Sequence, residues 1–550
     1  MLLCALLLAS QSYADLVISN ATLWSNGKMT PNAFIAVKGG RISYVGKPDR
    51  WMAGPTTEKV DARGRVVLPG LIDAHAHLLG GGVELTQLDL NGTKTKADFL
   101  RRIAVWVERT EPGKWVIGNG WSAESWPEKV QPTKEWLDEI SSETPMALYR
   151  MDGHSLLVNS AALRLMNITK DGPGNPAGGS IDRDAKGEPT GLLRETAMSL
   201  AAKAIPQPTD EETYQGLKAA VKMANSNGIT AVSEINSASG LPHFRRYASD
   251  GPTLRMGVYL TAGNWTSDIQ AAKGFQKTQW VSVQGLKAYM DGSLGSRTAW
   301  MLAPYTKPLA DQTSLTGLPR PGVTNGTYAK GIRDAAAANL QVIVHAIGDR
   351  ANREVLNLFQ KNAPNLAKLR FRVEHVQHTS KQDIRRFAQL GVIPSMQPYH
   401  KADDGRYCEV VIGTARSRSS YAYRQLLDSG ARLAFGSDWS VVTINPFVGI
   451  EAAVTGRIMT GKVWMPHQNI TVHEALKGYT VNAAYAMKME KDIGQVAPGF
   501  RADLILLNAS PFAKNPNWKQ MGPTDMWVGG QRVNLTNRLS RANGSHLHAD

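Results

Sequence analysis

Two histidines one residue apart, His75 and His77, close the apolar run VVLPGLIDAHAH at 66–77. Residues i and i+2 of a β-strand face the same side, so both imidazoles can point toward one metal ion. Imidazole nitrogens suit zinc and similar divalent ions. Such a pair also occurs in surface loops, and for these two residues alone that alternative stays open.

Four further side chains that can bind a metal lie in later apolar runs: Lys287, His345, His375 and Asp438. A lysine inside an apolar strand is rarely buried without a partner. One histidine in such a strand is usually a core residue, but a set in strand order, each member near a strand end, indicates a metal site. A carboxylate beside an activated water can accept its proton and pass it to a leaving group.

Eight strand-like runs, most of them followed by a helical stretch, carry these side chains. They lie at 66–77, 228–236, 254–262, 283–292, 340–349, 369–378, 391–400 and 431–439. Strands that alternate with helices favour a parallel sheet, and eight such units favour a closed (β/α)8 TIM barrel. We therefore predict the α/β class, with the functional residues at the carboxyl ends of the strands.

Both ends of the chain have the pattern of short strands around Gly and Asn turns, over 16–66 and 494–533. This pattern predicts one small β-domain with the barrel inserted into it. The expected parts are the β-domain at 15–66 and 491–535, the barrel at 67–490 and a flexible tail at 536–550. Residues 80–225 are too long for one crossover, and we expect a mainly helical insertion there that covers the barrel mouth.

The composition is that of an ordinary globular protein, with 42% hydrophobic and 20% charged residues in a chain of 550. It excludes a disordered chain, a coiled coil and a collagen-like repeat. The apolar runs are too short for an ordinary transmembrane helix. The net charge of +15 is spread along the chain without a basic block, so we expect a small-molecule substrate and no nucleic-acid or membrane partner. Whether the protein forms a homo-oligomer stays open.

The opening sequence MLLCALLLASQSYA predicts a signal peptide over 1–14. The small residues Ser12 and Ala14 fit cleavage before Asp15, and export to the periplasm or the medium is therefore expected. A misplaced start codon is the alternative. After cleavage Cys408 is the sole cysteine, so no internal disulfide can form.

The sequence resembles the metal-dependent amidohydrolase superfamily, and within it the amidohydrolase-3 or YtcJ-like branch. The resemblance covers nearly the whole chain after the leader. Its motifs include LPGLIDAHAH at 68–77, GNGW at 118–121, DGHSLLVNS at 152–160, LKAYMDGSLGSRTA at 286–299, VHAIGDRA at 344–351, VEHVQH at 373–378 and FGSDW at 435–439. The HxH and GSD motifs occur across the superfamily, whereas DGSLGSRTA together with HAIGDRA is specific to the branch.

The resemblance implies a barrel beside a β-sandwich built from both chain ends, and it implies a role for each metal-capable side chain. His75 and His77 would bind a first metal ion, His345 and His375 a second, Lys287 would bridge the two, and Asp438 would be both ligand and base. Lys287 is similar to family lysines that are carboxylated. Two ions, expected to be zinc, are favoured, and an unmodified Lys287 beside a single ion stays open.

Three polar residues are candidates for substrate contacts. His154 and Asn159, in the insertion, could hydrogen-bond to the substrate, with a role in local structure as the alternative. Arg297 could clamp a substrate carboxylate, or it could pair with Asp291 or another acid.

Three aromatic residues, Trp121, Tyr289 and Trp439, are candidates for the wall of an apolar substrate pocket. Aromatic side chains at strand ends are often plain packing, so that alternative also stays open. His378 follows His375 by three residues and is expected to lie in a loop or outside the direct metal ligands.

These residues favour a metal-dependent hydrolase of a non-peptide carbon–nitrogen bond, that is, an amidohydrolase. A metal-activated hydroxide would attack the carbonyl carbon, and Asp438 would deliver the proton to the departing nitrogen. Deformylation of N-substituted formamides is one candidate activity. Ester or lactone hydrolysis, deamination at the same site, and a non-catalytic relative with the same fold are the alternatives.

Overall fold

The computed structural model describes residues 13–48, 52–123, 126–127, 129–151, 154–176, 179–308 and 314–535. The chain divides into two compact units, which we describe separately. Of the described residues, the larger unit contains those within 13–76, 222–437 and 445–535, and the smaller contains those within 77–221 and 438–444. The predicted tail, and the predicted leader up to residue 12, lie outside the described residues.

The strands fall into two groups along the chain. The first twelve are β1 (Leu16–Ser25), β2 (Lys28–Lys38), β3 (Arg41–Gly46), β4 (Glu58–Asp61), β5 (Val66–Pro69), β6 (Leu71–Ala76), β7 (Leu88–Asp89), β8 (Val116–Trp121), β9 (Met146–Arg150), β10 (Ser155–Val158), β11 (Gly179–Arg183) and β12 (Pro189–Glu195). The later ones are β13 (Ile229–Asn236), β14 (Arg255–Thr261), β15 (Val281–Tyr289), β16 (Gln341–Ala346), β17 (Arg372–His375), β18 (Ile393–Met396), β19 (Ala434–Phe435), β20 (Leu504–Leu507), β21 (Pro523–Val528) and β22 (Gln531–Arg532).

The α-helices divide in the same way. Those up to the end of the insertion are α1 (Leu78–Glu84), α2 (Lys96–Val107), α3 (Lys134–Asp138), α4 (Ser160–Leu165), α5 (Met198–Ala204) and α6 (Asp210–Ser226). The later helices are α7 (Leu241–Ser249), α8 (Trp265–Gly274), α9 (Pro321–Thr324), α10 (Thr327–Ala337), α11 (Asp349–Asn362), α12 (Leu366–Leu369), α13 (Lys381–Leu390), α14 (Pro398–Asp404), α15 (Cys408–Ile412), α16 (Thr414–Ser417), α17 (Tyr423–Asp428), α18 (Pro446–Thr455), α19 (Val472–Gly478) and α20 (Val481–Ala486).

The larger unit contains an eight-stranded parallel sheet in the order β6, β13, β14, β15, β16, β17, β18, β19. Each of the eight apolar runs contributes one of these strands. β19 contacts β6, and Ser437 donates to the Asp73 carboxylate from N at 2.9 Å and from Oγ at 2.6 Å. The sheet is therefore a nearly closed barrel, and the predicted α/β TIM-barrel fold is confirmed.

Burial on both faces explains why the barrel strands are almost continuously apolar. β13 and β16, with the sequences ITAVSEIN and QVIVHA, are buried along nearly their whole length, as expected for parallel strands under helices. The amphipathic helix α11 buries Val355, Leu356 and Phe359 along one face. These layers hold the carboxyl ends of the strands in fixed positions.

A second sheet in the larger unit joins both ends of the chain. Its order is β22, β21, β20, β5, β1, β2, β3, with β4 paired to β1. β20 runs antiparallel to β5, with Leu504 opposite Pro69 and Ile505 opposite Leu68. Just before β20, buried Asp503 pairs with Arg255 of β14 at 2.8 Å. The two ends thus form one sheet, while the expected two-layer sandwich stays a prediction.

The smaller unit contains a six-stranded mixed sheet in the order β11, β12, β10, β9, β8, β7. The expectation of a mainly helical insertion at 80–225 did not include this sheet. Its strands are short, and one of them, β8 (VIGNGW), is interrupted by glycine and asparagine, so they lack a clear alternating pattern. Cover of the barrel mouth by the insertion stays a prediction. No helix among the described residues combines the length and apolar character needed to cross a bilayer.

Candidate metal centre

His75 lies near the end of β6 and is held from both ring nitrogens. Its Nδ1 is 2.6 Å from Glu374 Oε2, and its Nε2 is 3.2 Å from Lys287 Nζ. A carboxylate accepts hydrogen bonds, so Nδ1 carries the proton and Nε2 presents its lone pair. His75 N also donates to Asp73 Oδ1 at 3.0 Å. The first predicted ligand is therefore buried and oriented with a defined tautomer.

His375 ends β17 and has the same arrangement. Its Nδ1 is 2.7 Å from Gln397 Oε1, which leaves Nε2 as the ligand atom. Its ring centroid lies 4.9 Å from that of His75 and 4.5 Å from that of His345. The φ of +73° at His375 is in the left-handed region, which non-glycine residues occupy at functional sites more often than elsewhere.

His345 lies in β16 and faces a backbone group. Its Nε2 is 3.1 Å from Gly292 O and 3.5 Å from Asp291 Oδ1. Its ring packs beside Tyr289, with centroids 5.5 Å apart. The structure therefore places His345 next to His375 with one nitrogen directed at the loop after β15.

His77 is the first residue after β6, Asp438 is the third residue after β19, and the two side chains pair with each other. His77 Nε2 lies 3.2 Å from Asp438 Oδ1, and His77 N donates to Trp439 O at 2.6 Å. Asp438 also has a left-handed φ, of +63°. The predicted base is thus held beside a predicted ligand.

Three ligand atoms, one each from His75, His375 and Asp438, lie within 4.8 Å of one another, and all three residues are buried. Two imidazoles that present Nε2 and one carboxylate are a donor set suited to a divalent ion such as zinc. These residues therefore fit a metal ion. Lys287 and His77 contact members of the set, and His345 packs against one.

Glu374 and Arg372 support the metal-ligating histidine and were not predicted from the sequence. Arg372 Nε donates to Glu374 Oε1 at 2.7 Å, and both side chains are fully buried. Burial alone would raise the pKa of Glu374, but the charge of Arg372 and the hydrogen bonds from His75 and Arg372 lower it to about 2. The sequence signal was present: RFRVEH at 370–375 alternates charged with apolar residues inside a barrel strand.

Arg372 spans the barrel interior. It donates to Ser233 Oγ in β13 at 3.1 Å, to Ser395 Oγ in β18 at 3.2 Å and to the carbonyl of Ala74 in β6. One buried guanidinium thus connects strands on several sides of the barrel directly behind His75.

Lys287 is 1% exposed and lies inside β15, as predicted. Besides its contact with His75, its Nζ lies 4.8 Å from the ring centroid of Tyr289. Tyr289 is therefore next to two of the predicted ligands, and its role in a substrate pocket stays a prediction.

Asn159, one of the predicted substrate contacts, forms hydrogen bonds within the smaller unit. Asn159 is the N-cap of α4: its Oδ1 accepts from Ala162 N and Met146 N, and its Nδ2 donates to the carbonyls of Ser141 and Thr144. Every hydrogen-bonding group of this amide is used, which favours the alternative of local structure, while the substrate contact stays a prediction. Only the position of Asn159 in the motif DGHSLLVNS suggested a substrate contact.

Trp121 is fully buried in the core of the smaller unit, and its Nε1 donates to Leu148 O at 2.7 Å. Trp439 is 2% exposed. For Trp121 and Trp439, burial favours the alternative of plain packing, and a role in the pocket wall stays a prediction. The remaining candidate in this unit, His154, is half-exposed and lies 3.0 Å from Glu195 Oε1.

Arg297 forms hydrogen bonds with backbone carbonyls of the loop that contains it. It donates to the carbonyls of Lys307, Leu294 and Gly295. Asp291, the acid considered as its partner, instead accepts from the backbone N–H groups of three other residues, Ile347, Gly348 and Trp300. Burial raises the pKa of Asp291 to about 7 even though these donors lower it. The loop after β15 is thus ordered by backbone contacts.

His378 lies outside the metal set, as expected. It is buried, and its Nδ1 is 2.7 Å from Ser420 Oγ. Burial, reinforced by the positive charge of Arg416, lowers its pKa to about 3. His378 is therefore a neutral core residue at ordinary pH.

A parallel eight-stranded barrel with imidazoles and a carboxylate at the carboxyl ends of its strands defines the class of metal-dependent barrel hydrolases. The particular family follows from comparison of the chain with known proteins. The chain belongs to the amidohydrolase family, whose model matches residues 58–534. The resemblance seen in the motifs is thereby confirmed.

Three relatives align with nearly the whole chain. Protein LONG AFTER FAR-RED 3 of Arabidopsis thaliana is 32% identical, with 94% of this chain and 91% of that protein aligned. YtcJ of Bacillus subtilis, named as an amidohydrolase, is 30% identical over 90% of this chain and 94% of that protein. The N-substituted formamide deformylase of Arthrobacter pascens is 28% identical over 90% and 94%, respectively.

The fold has a close counterpart among solved structures. A metal-dependent hydrolase from Pyrococcus furiosus is 26% identical, with a TM-score of 0.74 over 90% of this chain and 100% of that one. Family membership and this likeness identify the chain as a metal-dependent hydrolase of the amidohydrolase type.

Proposed function

We propose that the protein hydrolyses the carbon–nitrogen bond of a non-peptide amide. The observation that carries the proposal is the convergence of His75, His375 and Asp438, with ligand atoms within 4.8 Å of one another. We also propose that His77, Lys287 and His345 would complete a site for two zinc ions, with a carboxylated Lys287 as a ligand that the two ions would share. The distance of 3.2 Å between Lys287 Nζ and His75 Nε2 supports this placement.

Some residues of the site would bind the metal ion, and Asp438 would transfer the proton. A divalent ion held there lowers the pKa of a water molecule to about 7 and polarises a substrate carbonyl oxygen. Glu374 and Gln397 fix the tautomers of His75 and His375, so both present Nε2. Asp438, with Oδ1 3.2 Å from His77 Nε2, accepts the water proton and delivers it to the departing nitrogen.

The names of two of the three relatives, an amidohydrolase and a formamide deformylase, support carbon–nitrogen chemistry. One of the three is a deformylase of N-substituted formamides, and we therefore propose this compound class as the first to test. Ester or lactone hydrolysis and deamination use the same kind of site and form the rival outcomes.

A substrate panel separates these functions. N-substituted formamides, other amides, esters, lactones and aminated heterocycles are assayed with zinc-loaded and chelator-treated protein. We expect zinc-dependent turnover of amides above all other classes. A preference for esters or aminated heterocycles would move the assignment to a rival reaction, and full metal content without any turnover would identify a non-catalytic relative.

Replacement of Asp438 by asparagine tests the proton-transfer role. Asparagine keeps an oxygen for the metal but cannot accept a proton at neutral pH. We expect Asp438→Asn to keep most of its zinc and to lose at least ~10²-fold in kcat. His467→Ala, which removes an exposed imidazole elsewhere, is the control. A normal kcat would refute the role of base, and recovery on added zinc would leave Asp438 as a ligand only.

Export remains part of the proposal. Protein from a periplasmic or medium fraction should begin at Asp15, and N-terminal sequencing that finds Met1 on soluble cytoplasmic enzyme would contradict it. Ala14, the residue before the proposed cleavage, donates to Met52 O at 2.8 Å and accepts from Thr57 Oγ1 at 2.6 Å. Cleavage would remove both hydrogen bonds.

A further inference from the structure

The smaller unit contains a cavity of about 440 Å³. One part of its wall is polar, with Glu84, Gln87 and Asn119, and another part is apolar, with Tyr149 and Ile205. Sites for small molecules commonly combine an apolar wall with a few polar groups. None of the described residues that line this cavity belongs to the metal centre.

The motif GNGW at 118–121 builds one wall of the cavity. Asn119 Nδ2 donates to Gln87 Oε1 at 2.8 Å, so these two amides orient each other. Gly120 has a φ of +97°, and a Cβ there would lie 2.3 Å from Asn91 Cγ. Glycine is therefore required for the backbone to approach Asn91 so closely, and the wall has a specific geometry.

Glu84, the last residue of α1, is the acidic residue among the described residues that line the cavity. Among the residues that the structure describes, none forms an ion pair or hydrogen bond with its carboxylate. Arg150 lines the same cavity and is held by an interaction of its own. The Glu84 side chain is exposed to solvent, and the protein around it raises the pKa of its carboxyl by removing part of its hydration. A carboxylate in such a position gains from a cationic partner.

We infer that this cavity binds a small organic molecule that carries a protonated amine, with Glu84 as the partner of the ammonium group and the apolar wall in contact with the body of the ligand. The helix α1 begins directly after His77, so this site and a predicted metal ligand stand at opposite ends of one helix. The inference concerns a second binding site and does not depend on the proposed hydrolysis.

Two ligands of the same shape and different charge test the inference. Phenethylamine and phenethyl alcohol are titrated into zinc-loaded full-length protein at neutral pH by isothermal calorimetry. We expect the amine to bind about tenfold more tightly, since a hydrogen bond to a charged group adds this much affinity. In Glu84→Gln the amine should fall to the level of the alcohol, whose binding should not change.

Two further variants make the test specific. Glu108→Gln removes an exposed carboxylate that follows α2 and should leave the preference for the amine intact. Ile205→Trp fills the apolar wall and should weaken both ligands. Equal binding of the two ligands to the wild type, no binding of either, or a preference that survives in Glu84→Gln would overturn the inference. The last result would place the amine elsewhere, for example at the metal centre.

Discussion

Glu374 fixes the tautomer of His75. Its carboxylate lies between the Nδ1 of His75 and the guanidinium of Arg372, at 2.6 Å and 2.7 Å. A buried ion pair of this kind contributes little net stability, because desolvation offsets the attraction between the charges. Its retention behind a metal ligand is better explained by the fixed tautomer that it imposes on His75.

The variant Glu374→Gln tests this interpretation. A neutral amide cannot act as a charged acceptor for His75, and Arg372 is left as an uncompensated buried cation. We expect zinc affinity to fall about 10- to 100-fold and the free energy of unfolding to fall by about 3–5 kcal/mol. Zinc competition with a chromophoric chelator and urea unfolding measure the two effects.

A matched control exists on the surface. Glu490 pairs with Arg370 at 2.6 Å, and both side chains are partly exposed. Glu490→Gln should cost no more than about 1 kcal/mol and leave zinc affinity unchanged. If zinc affinity in Glu374→Gln stayed at the wild-type value, Glu374 would be a structural partner of Arg372 alone.

The types of the ligating residues could be predicted from sequence, but their partners could not. An imidazole or a carboxylate near a strand end is visible locally in the chain. The acceptor of His75 lies 299 residues away, and the Asp73 carboxylate that holds Ser437 lies 364 residues away. Only closure of the barrel brings these pairs together. Asn159 shows that a residue in a family motif can also act as a helix cap.

At the scale of elements, Asp73 joins the first and last strands of the barrel. Its carboxylate accepts from His75 N, Ser437 N and Ser437 Oγ. Strand pairing runs from β6 through to β19. The Asp73 side chain then connects β6 to Ser437, which follows β19, and so links the two edges of the sheet. It also fixes the strand ends from which His75 and Asp438 project.

We expect Asp73→Ala to lower the free energy of unfolding by about 2–4 kcal/mol, because buried donors lose their acceptor. It should also lower zinc occupancy, since both strand ends become less ordered. Ser437→Ala, which removes one of the three hydrogen bonds, should have a smaller effect of about 1 kcal/mol. Urea unfolding curves and zinc analysis measure the two effects. Equal losses of stability and of zinc occupancy in the two variants would contradict the view that the Asp73 carboxylate holds the two strand ends together.

Asn159→Ala distinguishes a cap from a substrate contact. Loss of the N-cap of α4 and of the bond to Met146 N should cost at least about 1 kcal/mol of stability. The Michaelis constant for any substrate found should be unchanged. A large rise in KM with unchanged stability would restore Asn159 as a substrate contact.

The barrel was predictable because each of its strands, including the short β17, β18 and β19, lies within a longer apolar run, and most of these runs are followed by a helix. The six-stranded sheet of the smaller unit was not. Its strands β7 and β10 have two and four residues, which is too short for an alternating pattern. Their pairing depends on neighbours far along the chain, such as Leu157 in β10 opposite Leu192 in β12.

For the whole molecule, His378 makes stability depend on pH. Its folded-state pKa of about 3 lies below the value of ~6.5 for an unfolded histidine. The unfolded chain therefore binds a proton between these values and the folded chain does not. This contribution is complete above pH ~6.5 and is lost as the pH falls toward about 3.

The variant His378→Gln removes this titration. We expect the stability difference between wild type and variant to rise with pH by up to ~1.4 kcal/mol per unit across that window and to be constant above it. Urea unfolding at a series of pH values provides the measurement. A difference independent of pH would show that His378 titrates normally in the folded protein.

The pairing of β5 with β20 has a consequence for biosynthesis. Pro69 and Leu504 are opposite each other in the sheet, yet nearly the whole chain is translated between them. Contacts so distant along the sequence slow folding, because loop closure precedes any stabilising gain. Until the ribosome has passed Leu504, one edge of β5 has no partner, and an unpaired strand edge recruits other chains. A prematurely terminated product should therefore aggregate rather than accumulate as a soluble barrel.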